Sequence, residues 1–216
     1  MVQKEIRRPR GRPRAYDPER ALQRATESFW RAGFAATSLD DLSAATGMNR
    51  PSIYGAFGDK RDLYLKTIDR YIAAARAEMA AVLSSGLPLR AALERVYDHA
   101  LALYFADRDA PLGCFLIGTA ATEAARDLEV RARLGAGLRA FTRAFEARFR
   151  AARDSGEIAP SADPALLAEM AGAVLHSIAL RARAGDARST LKRFARDAVK
   201  LLDASAGPSG RRPVGP

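Results

Sequence analysis

The chain has 216 residues, 48% of them hydrophobic, which is enough for a buried core without metals or disulfides. The single cysteine, Cys114, excludes an intramolecular disulfide, and the polar, arginine-rich N-terminus favours a cytoplasmic protein with no secretory signal. The formal net charge of +10 favours a polyanionic partner, and no run of about 18 apolar residues is expected to span a bilayer.

Residues 1–16 are predicted to form a disordered basic arm. They carry six basic residues against one acidic residue, two prolines, a glycine and no hydrophobic periodicity. The stretch RPRGRPR, from Arg8 to Arg14, resembles the AT-hook, whose Gly-Arg-Pro core lies along the minor groove of A/T-rich DNA. The alternative is a nonspecific basic tether that binds phosphates. The candidate DNA contacts in the arm are Arg10, Arg12 and Arg14.

Two helices are predicted directly after the arm. The first takes Asp17 as its N-cap, has a proline at its first helical position and ends at Gly33. The second opens at Thr37 or Ser38, either of which can cap it, and an aspartate three residues on can complete a capping box. This second helix is short because Gly47 ends it.

A third short helix is predicted to start near Asn49. Ile53 and Phe57, four residues apart, lie on its inward face. Three helices within about 45 residues, the last two joined by a tight turn, are typical of a helix-turn-helix. The motif spans about 38–57 within a predicted domain of residues 17–63, and Asp59 caps a long fourth helix.

The segment TSLDDLSAATGMNRPSIYGAFGDKRDL, residues 37–63, resembles the TetR/AcrR family of bacterial regulators. That family has a Thr or Ser opening the second helix, an Ala-x-x-x-Gly turn, an Ile/Leu-Tyr-x-x-Phe recognition helix and then Lys-x-x-Leu. The matching residues here are Thr37, Ser38, Ala44 or Ala45, Gly47, Ile53, Tyr54, Phe57, Lys60 and Leu63. The recognition helix departs from the family pattern at its start, where a frequent Ser-x-Gly is replaced by Asn49, Arg50 and Pro51. This difference affects which bases are read and not how the helix docks on DNA.

The outward face of the third helix is predicted to enter the major groove of DNA. Arg50 can donate two hydrogen bonds to guanine, Asn49 can pair with adenine, and Gly55 lets the backbone approach closely. The expected phosphate contacts are Thr37, Ser38, Tyr54 and Lys60. The candidate DNA-binding residues outside the arm are therefore Thr37, Ser38, Asn49, Arg50, Pro51, Ser52, Tyr54, Gly55 and Lys60.

Residues 64–205 are predicted to form a larger helical regulatory and dimerisation domain, followed by a disordered tail at 206–216. No stretch alternates apolar and polar residues for long enough to predict a strand, so the predicted fold is all-α. Its helices are placed at roughly 89–107, 113–125, 127–154, 164–184 and 188–204.

The resemblance implies that the last two helices form a homodimer and that the larger domain encloses a pocket for a small-molecule effector. Residues 165–182 are apolar on nearly every side, which fits burial against both core and partner. The last helix has a stripe suited to a two-fold four-helix interface: Leu191, Phe194, Ala198, Leu201 and Leu202. The candidate pocket residues, for each of which ordinary packing is the alternative, are His99, Tyr104, Cys114, Phe115, Phe141, Phe145 and His176. Cys114 could also be a redox sensor if its thiolate were stabilised and accessible.

These patterns predict a cytoplasmic, nucleoid-associated transcriptional regulator without a metal or cofactor. Its expected partners are duplex DNA, a second copy of the chain and a small-molecule effector. The predicted activity is repression from a palindromic operator, released by a small molecule. The alternative is an architectural, weakly sequence-specific DNA-binding protein with steep salt dependence. No Gly-rich phosphate loop, His-Glu-x-x-His or Gly-x-Ser-x-Gly motif is present, so no enzyme is expected.

Overall fold

The computed structural model describes residues 16–107 and 110–207. Within these ranges the chain is helical and contains no strand, as the sequence predicts. The elements are α1 (Pro18–Ala36), α2 (Leu39–Thr46), α3 (Arg50–Phe57), α4 (Lys60–Leu83), α5 (Leu89–Tyr104), α6 (a π-helical turn, Leu116–Ala120, continued by Ala121–Glu123), α7 (Leu128–Asp154), α8 (Pro164–Arg183) and α9 (Arg188–Ser205). The arm residues Arg10, Arg12 and Arg14, and most of the predicted tail, lie outside the described residues.

The ends of the first helices follow from their capping residues. The Asp17 carboxylate accepts hydrogen bonds from two backbone N–H groups in the first turn of α1. Gly33 has φ 81° and interrupts the helical path inside α1, so the last residues of α1 turn away from its main axis. Ser38 and Asp41 form the capping box of α2, and Gly47, with φ 70°, ends that helix.

Helix α4 belongs to both parts of the molecule, because it packs against α1 and also against α5 and α7. An aromatic cluster lies where these parts meet. The Tyr64 ring on α4 lies 5.0 Å from that of Phe29 on α1 and 6.0 Å from that of Phe115, just before α6. Trp30 lies 5.2 Å from Tyr71 and 5.9 Å from Phe115. The helix-turn-helix is therefore packed onto the larger helical domain through a shared core.

Main-chain and ionic contacts reinforce this junction. The Trp30 indole N–H donates to the Leu112 carbonyl at 3.3 Å, and the Arg183 guanidinium donates to the carbonyls of both residues. On the other side of α4, Arg61 forms a two-pronged ion pair with Asp127, the N-cap of α7. The beginning of α4 is thus tied directly to α7.

The segment predicted as a helix at 113–125 begins later than expected. Gly113 has φ 64°, and a Cβ at this position would lie 2.4 Å from the backbone carbonyl oxygen of Ala179 on α8, so this residue adopts a left-handed conformation outside any helix. Helical structure starts only at α6, whose first turn is π-helical. The other helices of the larger domain lie close to the predicted positions.

Helix α8 is long and apolar enough, by length and composition alone, to cross a membrane, a criterion that the core helix of a folded domain also meets. One side of α8 packs against α7, α9 and α5, and Ala171 and Ile178 on that side are fully buried. The helix also carries Glu169 and Arg181, which are costly in a lipid core. Its apolar character follows from packing on one side and from an exposed apolar stripe on the other.

Candidate nucleic-acid interface and ligand cavity

Helix α3 is held by two buried side chains and presents its opposite face to solvent. Ile53 and Phe57 are 0% and 6% exposed, whereas Tyr54 is 48% exposed. Pro51 and Gly55 are also exposed, and Ser52 is half-buried. The geometry gives α3 a free face of the size and chemistry that a major groove admits.

Arg50, at the start of α3, is engaged by a carboxylate of α2. Its Nε and Nη2 atoms lie 2.7–3.1 Å from the two carboxylate oxygens of Asp40. Both side chains remain largely exposed, and the pairing with Asp40 raises the pKa of Arg50. The guanidinium fork that the sequence assigns to guanine is therefore occupied by Asp40 in the free protein. Sequence reasoning did not identify Asp40, since a ten-residue separation gives no local signal.

Asn49 has a capping role in this structure. Its side-chain oxygen accepts the Ser52 N–H at 2.9 Å and so serves as the N-cap of α3. Pairing with adenine through both amide atoms would require that same oxygen. Asn49 therefore sets the start of the helix, and its side-chain oxygen is already engaged by this cap.

Thr37 is the one predicted phosphate contact that the structure removes from the surface. It is 1% exposed, and its hydroxyl donates to the Gly33 carbonyl at 2.7 Å, closing the end of α1. Ser38 is exposed and caps α2. Lys60 is half-buried, at the start of α4, with its Nζ 4.5 Å from the centroid of the Phe34 ring. Ser38 and Lys60 thus lie at helix N-termini, where phosphates bind readily.

A cavity of about 750 Å³ lies between α1, α4, α5, α7 and α8. Five of the predicted pocket residues are on its wall: His99, Tyr104, Cys114, Phe141 and His176. Phe115 and Phe145 are not, because both are fully buried in the core, where Phe115 packs on Trp30 and Tyr71 and Phe145 packs on Tyr97. The volume lies within the roughly 300–1,000 Å³ of small-molecule sites.

Helix α1 supplies one wall of this cavity through Gln23, Thr26, Glu27 and Trp30. Sequence analysis missed these residues because it assigned α1 wholly to the helix-turn-helix. The amphipathic pattern of α1 gives no sign that part of its inner face borders a cavity rather than packed core. A bound molecule would contact a helix of the DNA-binding part directly.

Cys114 lies on the cavity wall, but in a setting that suppresses thiolate formation. It is 6% exposed, and its sulfur lies 3.2 Å from the Tyr71 hydroxyl. Burial raises the pKa of the Cys114 thiol, against hydrogen bonds that act in the opposite direction. The protonated thiol is a poor nucleophile, which favours packing over redox sensing.

A second surface, the exposed apolar face of α8 and α9, lies away from the cavity. On α8, Leu166, Met170 and Leu180 are 57%, 43% and 61% exposed, and on α9 Leu201 is 67% exposed. The spacing of Leu166, Met170 and Leu180 places them along one side of α8. Side chains of this size and exposure, aligned on adjoining helices, are typical of a subunit interface.

Comparison with known proteins bears on both parts of the chain. Residues 21–67 match the family model described as bacterial regulatory proteins, tetR family, and residues 89–198 match the tetracyclin repressor-like C-terminal domain. The HTH-type transcriptional repressor ComR of Escherichia coli (strain K12) is 30% identical over 203 residues, covering 91% of this chain and 93% of ComR. The HTH-type transcriptional repressor BdcR of the same organism is 34% identical over 104 residues, 48% of this chain and 53% of BdcR.

Solved structures give the same result for the fold. A cysteine mutant of the TetR family transcriptional regulator CifR, complexed with 26-bp double-strand operator DNA, aligns with a TM-score of 0.76 and 29% identity. That alignment covers 88% of this chain and 98% of the CifR chain.

Proposed function

Since the chain belongs to the TetR family of bacterial regulatory proteins, we propose that it is a repressor that binds a palindromic operator as a homodimer and leaves it when a small molecule fills the cavity. The observation that carries this proposal is the exposed face of α3, anchored by Ile53 and Phe57 and carrying Arg50 and Tyr54. Such a protein acts in the cytoplasm, at the nucleoid.

On the DNA, the free face of α3 enters the major groove. Tyr54 contacts a phosphate or base edge, and Arg50 exchanges Asp40 for a guanine or a phosphate. Ser38 and Lys60 supply phosphate contacts at the N-termini of α2 and α4. The basic arm adds contacts in the adjacent minor groove through its arginines.

Dimerisation follows from the apolar face of α8 and α9. Leu166, Met170, Leu180 and Leu201 would be covered by the same residues of a second copy in an isologous four-helix arrangement. Two copies of α3 related by a two-fold axis then read the two halves of a palindrome.

Release from DNA is a shift in the population of conformers. A molecule in the cavity contacts α1 and α4 together, because Trp30 and Tyr71 lie on its wall. If it binds more tightly to a conformer in which the two α3 helices no longer match the operator, the affinity for DNA falls, and DNA lowers the affinity for that molecule by the same factor.

Selection of randomised duplex DNA by the purified protein at near-physiological salt tests the function. A palindromic motif that is lost in Tyr54→Ala supports an operator-binding dimer. Leu128→Ala is the matched control, since Leu128 is a 74% exposed apolar side chain outside the helix-turn-helix. Enrichment of A/T-rich DNA alone, abolished by deleting residues 1–14, would instead indicate an architectural protein.

A further inference from the structure

The wall of the cavity has an apolar interior and a charged rim. Most of its buried side chains are apolar or aromatic and keep a small residual exposure of 4–8%, among them Trp30, Met79, Tyr104, Phe141 and Leu175. The two glutamates of the wall, Glu27 on α1 and Glu78 on α4, are instead exposed. The glutamates therefore lie where the cavity opens to solvent.

The rim carries an excess of negative charge. Nε of Arg70 lies 2.6 Å from a carboxylate oxygen of Glu19, which compensates the charge of the guanidinium. Nδ1 of His99 lies 2.6 Å from the carboxylate of Glu78. Glu27 accepts a hydrogen bond from a neutral amide one turn earlier on α1 and forms no ion pair with any described residue. This excess contrasts with the net charge of +10 of the whole chain.

These charges favour a cation at the rim and disfavour an anion anywhere on the described wall. An ammonium group beside Glu27 keeps part of its water and gains an opposite charge, so its desolvation costs little. The interior holds no positive charge for an anion at neutral pH, because burial lowers the pKa of the remaining basic group, His176. A charge of either sign in the apolar interior would lose hydration without a partner.

The interior in turn favours an apolar body on the same ligand. The volume of about 750 Å³ accommodates a molecule of several fused or linked rings. Trp30 and Glu27 are three residues apart and lie on the same side of α1, so one ligand can contact the interior and the rim through this helix.

Resting on the proposed function, we propose that the effector is an amphiphilic organic cation whose ring system fills the interior of the cavity and whose ammonium group pairs with Glu27 at the rim. Such a ligand bears directly on α1, which packs against α2 and α4. Its binding therefore reaches the helices that support the DNA-binding face.

Trp30 provides the readout, because it is the single tryptophan of the chain and lies on the cavity wall. The full-length protein, without DNA and at neutral pH, is titrated with aminomethylpyrene, hydroxymethylpyrene and pyrenecarboxylate. These probes share one ring system and are cationic, neutral and anionic, respectively, and each quenches tryptophan emission by energy transfer. The cationic probe is expected to bind about fivefold more tightly than the neutral one, and the anionic probe more weakly than both. Nonspecific attraction to a chain of charge +10 would give the opposite order.

Glu27→Gln keeps the size of the side chain and removes its charge, so the preference for the cationic over the neutral probe is expected to fall to about twofold or less. Glu94→Gln is the matched control, since Glu94 lies on α5 but not on the cavity wall, and it should leave the preference unchanged. Energy transfer also reaches probes outside the cavity, so this comparison is what assigns the preference to the rim. Unchanged affinity for the neutral probe in both variants shows that the fold is intact.

Three outcomes overturn the proposal: a neutral or anionic probe that binds as tightly as the cationic one, a cation preference that survives Glu27→Gln or is lost equally in Glu94→Gln, or no quenching by any probe. Because no DNA is present, these outcomes are independent of the operator selection. A protein that selects a palindrome but fails here retains the proposed function and loses only this effector class.

Discussion

At the scale of single residues, the ion pair between Arg50 and Asp40 sets a competition on the DNA-binding face. DNA must replace a carboxylate that the guanidinium already contacts at 2.7 Å, and that carboxylate also repels phosphates. Asp40→Asn is therefore expected to tighten operator binding several-fold at fixed salt, and Arg50→Ala to weaken it. Fluorescence anisotropy with labelled operator measures both changes.

Asp154→Asn is the matched control for this prediction, since Asp154 is an exposed, arginine-paired aspartate at the far end of α7. It removes the same charge without touching α2 or α3. Weaker binding by Asp40→Asn would contradict the competition and would mean that Asp40 positions Arg50 for its contact with DNA.

Thr37 is predicted to affect the stability of the fold and not the binding of DNA. Its hydroxyl closes the end of α1 and is inaccessible, so Thr37→Val is expected to lower the free energy of unfolding by about 1 kcal/mol. Operator affinity of the folded variant should stay within about twofold of the parent. Urea denaturation and anisotropy on one preparation separate the two effects, and a large loss of affinity in a fully stable variant would restore Thr37 as a phosphate contact.

At the scale of elements, the left-handed conformation of Gly113 lets the chain pack closely against α8. A Cβ at Gly113 would overlap the Ala179 carbonyl, and the positive φ adds strain, so Gly113→Ala should destabilise the fold. Gly156 shares a positive φ but has open space at its Cβ position, so Gly156→Ala isolates the strain alone, about 1 kcal/mol. Gly113→Ala is expected to cost at least about 2 kcal/mol more in urea denaturation. If both substitutions lower the free energy of unfolding by the same amount, α8 shifts to make room for the added methyl group at this contact.

The ion pair between Arg61 and Asp127 gives the junction of α4 and α7 a dependence on pH. Hydrogen bonds from Arg61 are the main cause that lowers the pKa of Asp127 from 3.8 to about 2. Because the folded-state pKa lies below the unfolded one, this pair stabilises the fold above about pH 4, and its contribution disappears as the pH falls toward about 2.

Asp127→Asn keeps the N-cap of α7 and removes the ion pair. The variant is expected to be less stable than the parent at pH 7, with the difference shrinking as urea denaturation is repeated from pH 5 down to pH 3. Glu94→Gln removes a pair confined to α5 and serves as the control. A difference that stays constant with pH would assign the loss to altered capping.

Local signals were sufficient to predict most elements. Asp17, Ser38, Gly47 and Asp59 mark helix boundaries through contacts within a few residues, so sequence spacing locates them. The conformation of Gly113 could not be predicted in this way, because it is tied to a close approach to Ala179 of α8, far away in the sequence.

In the candidate sites, too, some residues could be predicted from sequence spacing and others could not. Ile53 and Tyr54 could be assigned to opposite faces of α3 from helical periodicity alone. Asp40 beside Arg50, and α1 as a cavity wall, arise from packing between elements and could not be read from spacing.

At the scale of the whole molecule, the exposed apolar face of α8 and α9 is the proposed dimer interface. Leu180→Glu places a carboxylate in the proposed interface, where it would be buried against its symmetry mate, and is expected to convert the dimer to a monomer. Light scattering after size-exclusion chromatography measures the mass, and the palindromic operator should be bound at least about tenfold more weakly. Leu128→Glu, on an even more exposed leucine outside this face, is the control; a dimeric Leu180→Glu variant would place the interface elsewhere.

The position of α1 between the cavity and the helix-turn-helix also constrains how such a protein can diversify. Trp30 borders the cavity and, on the same helix, Phe29 anchors the core beneath α4. A substitution at Trp30 that admits a new effector also changes the support of the DNA-binding helices. At Trp30, effector choice and operator affinity are therefore expected to change together, and adaptation to a new chemical signal through this position is expected to require compensating changes on the opposite side of α1.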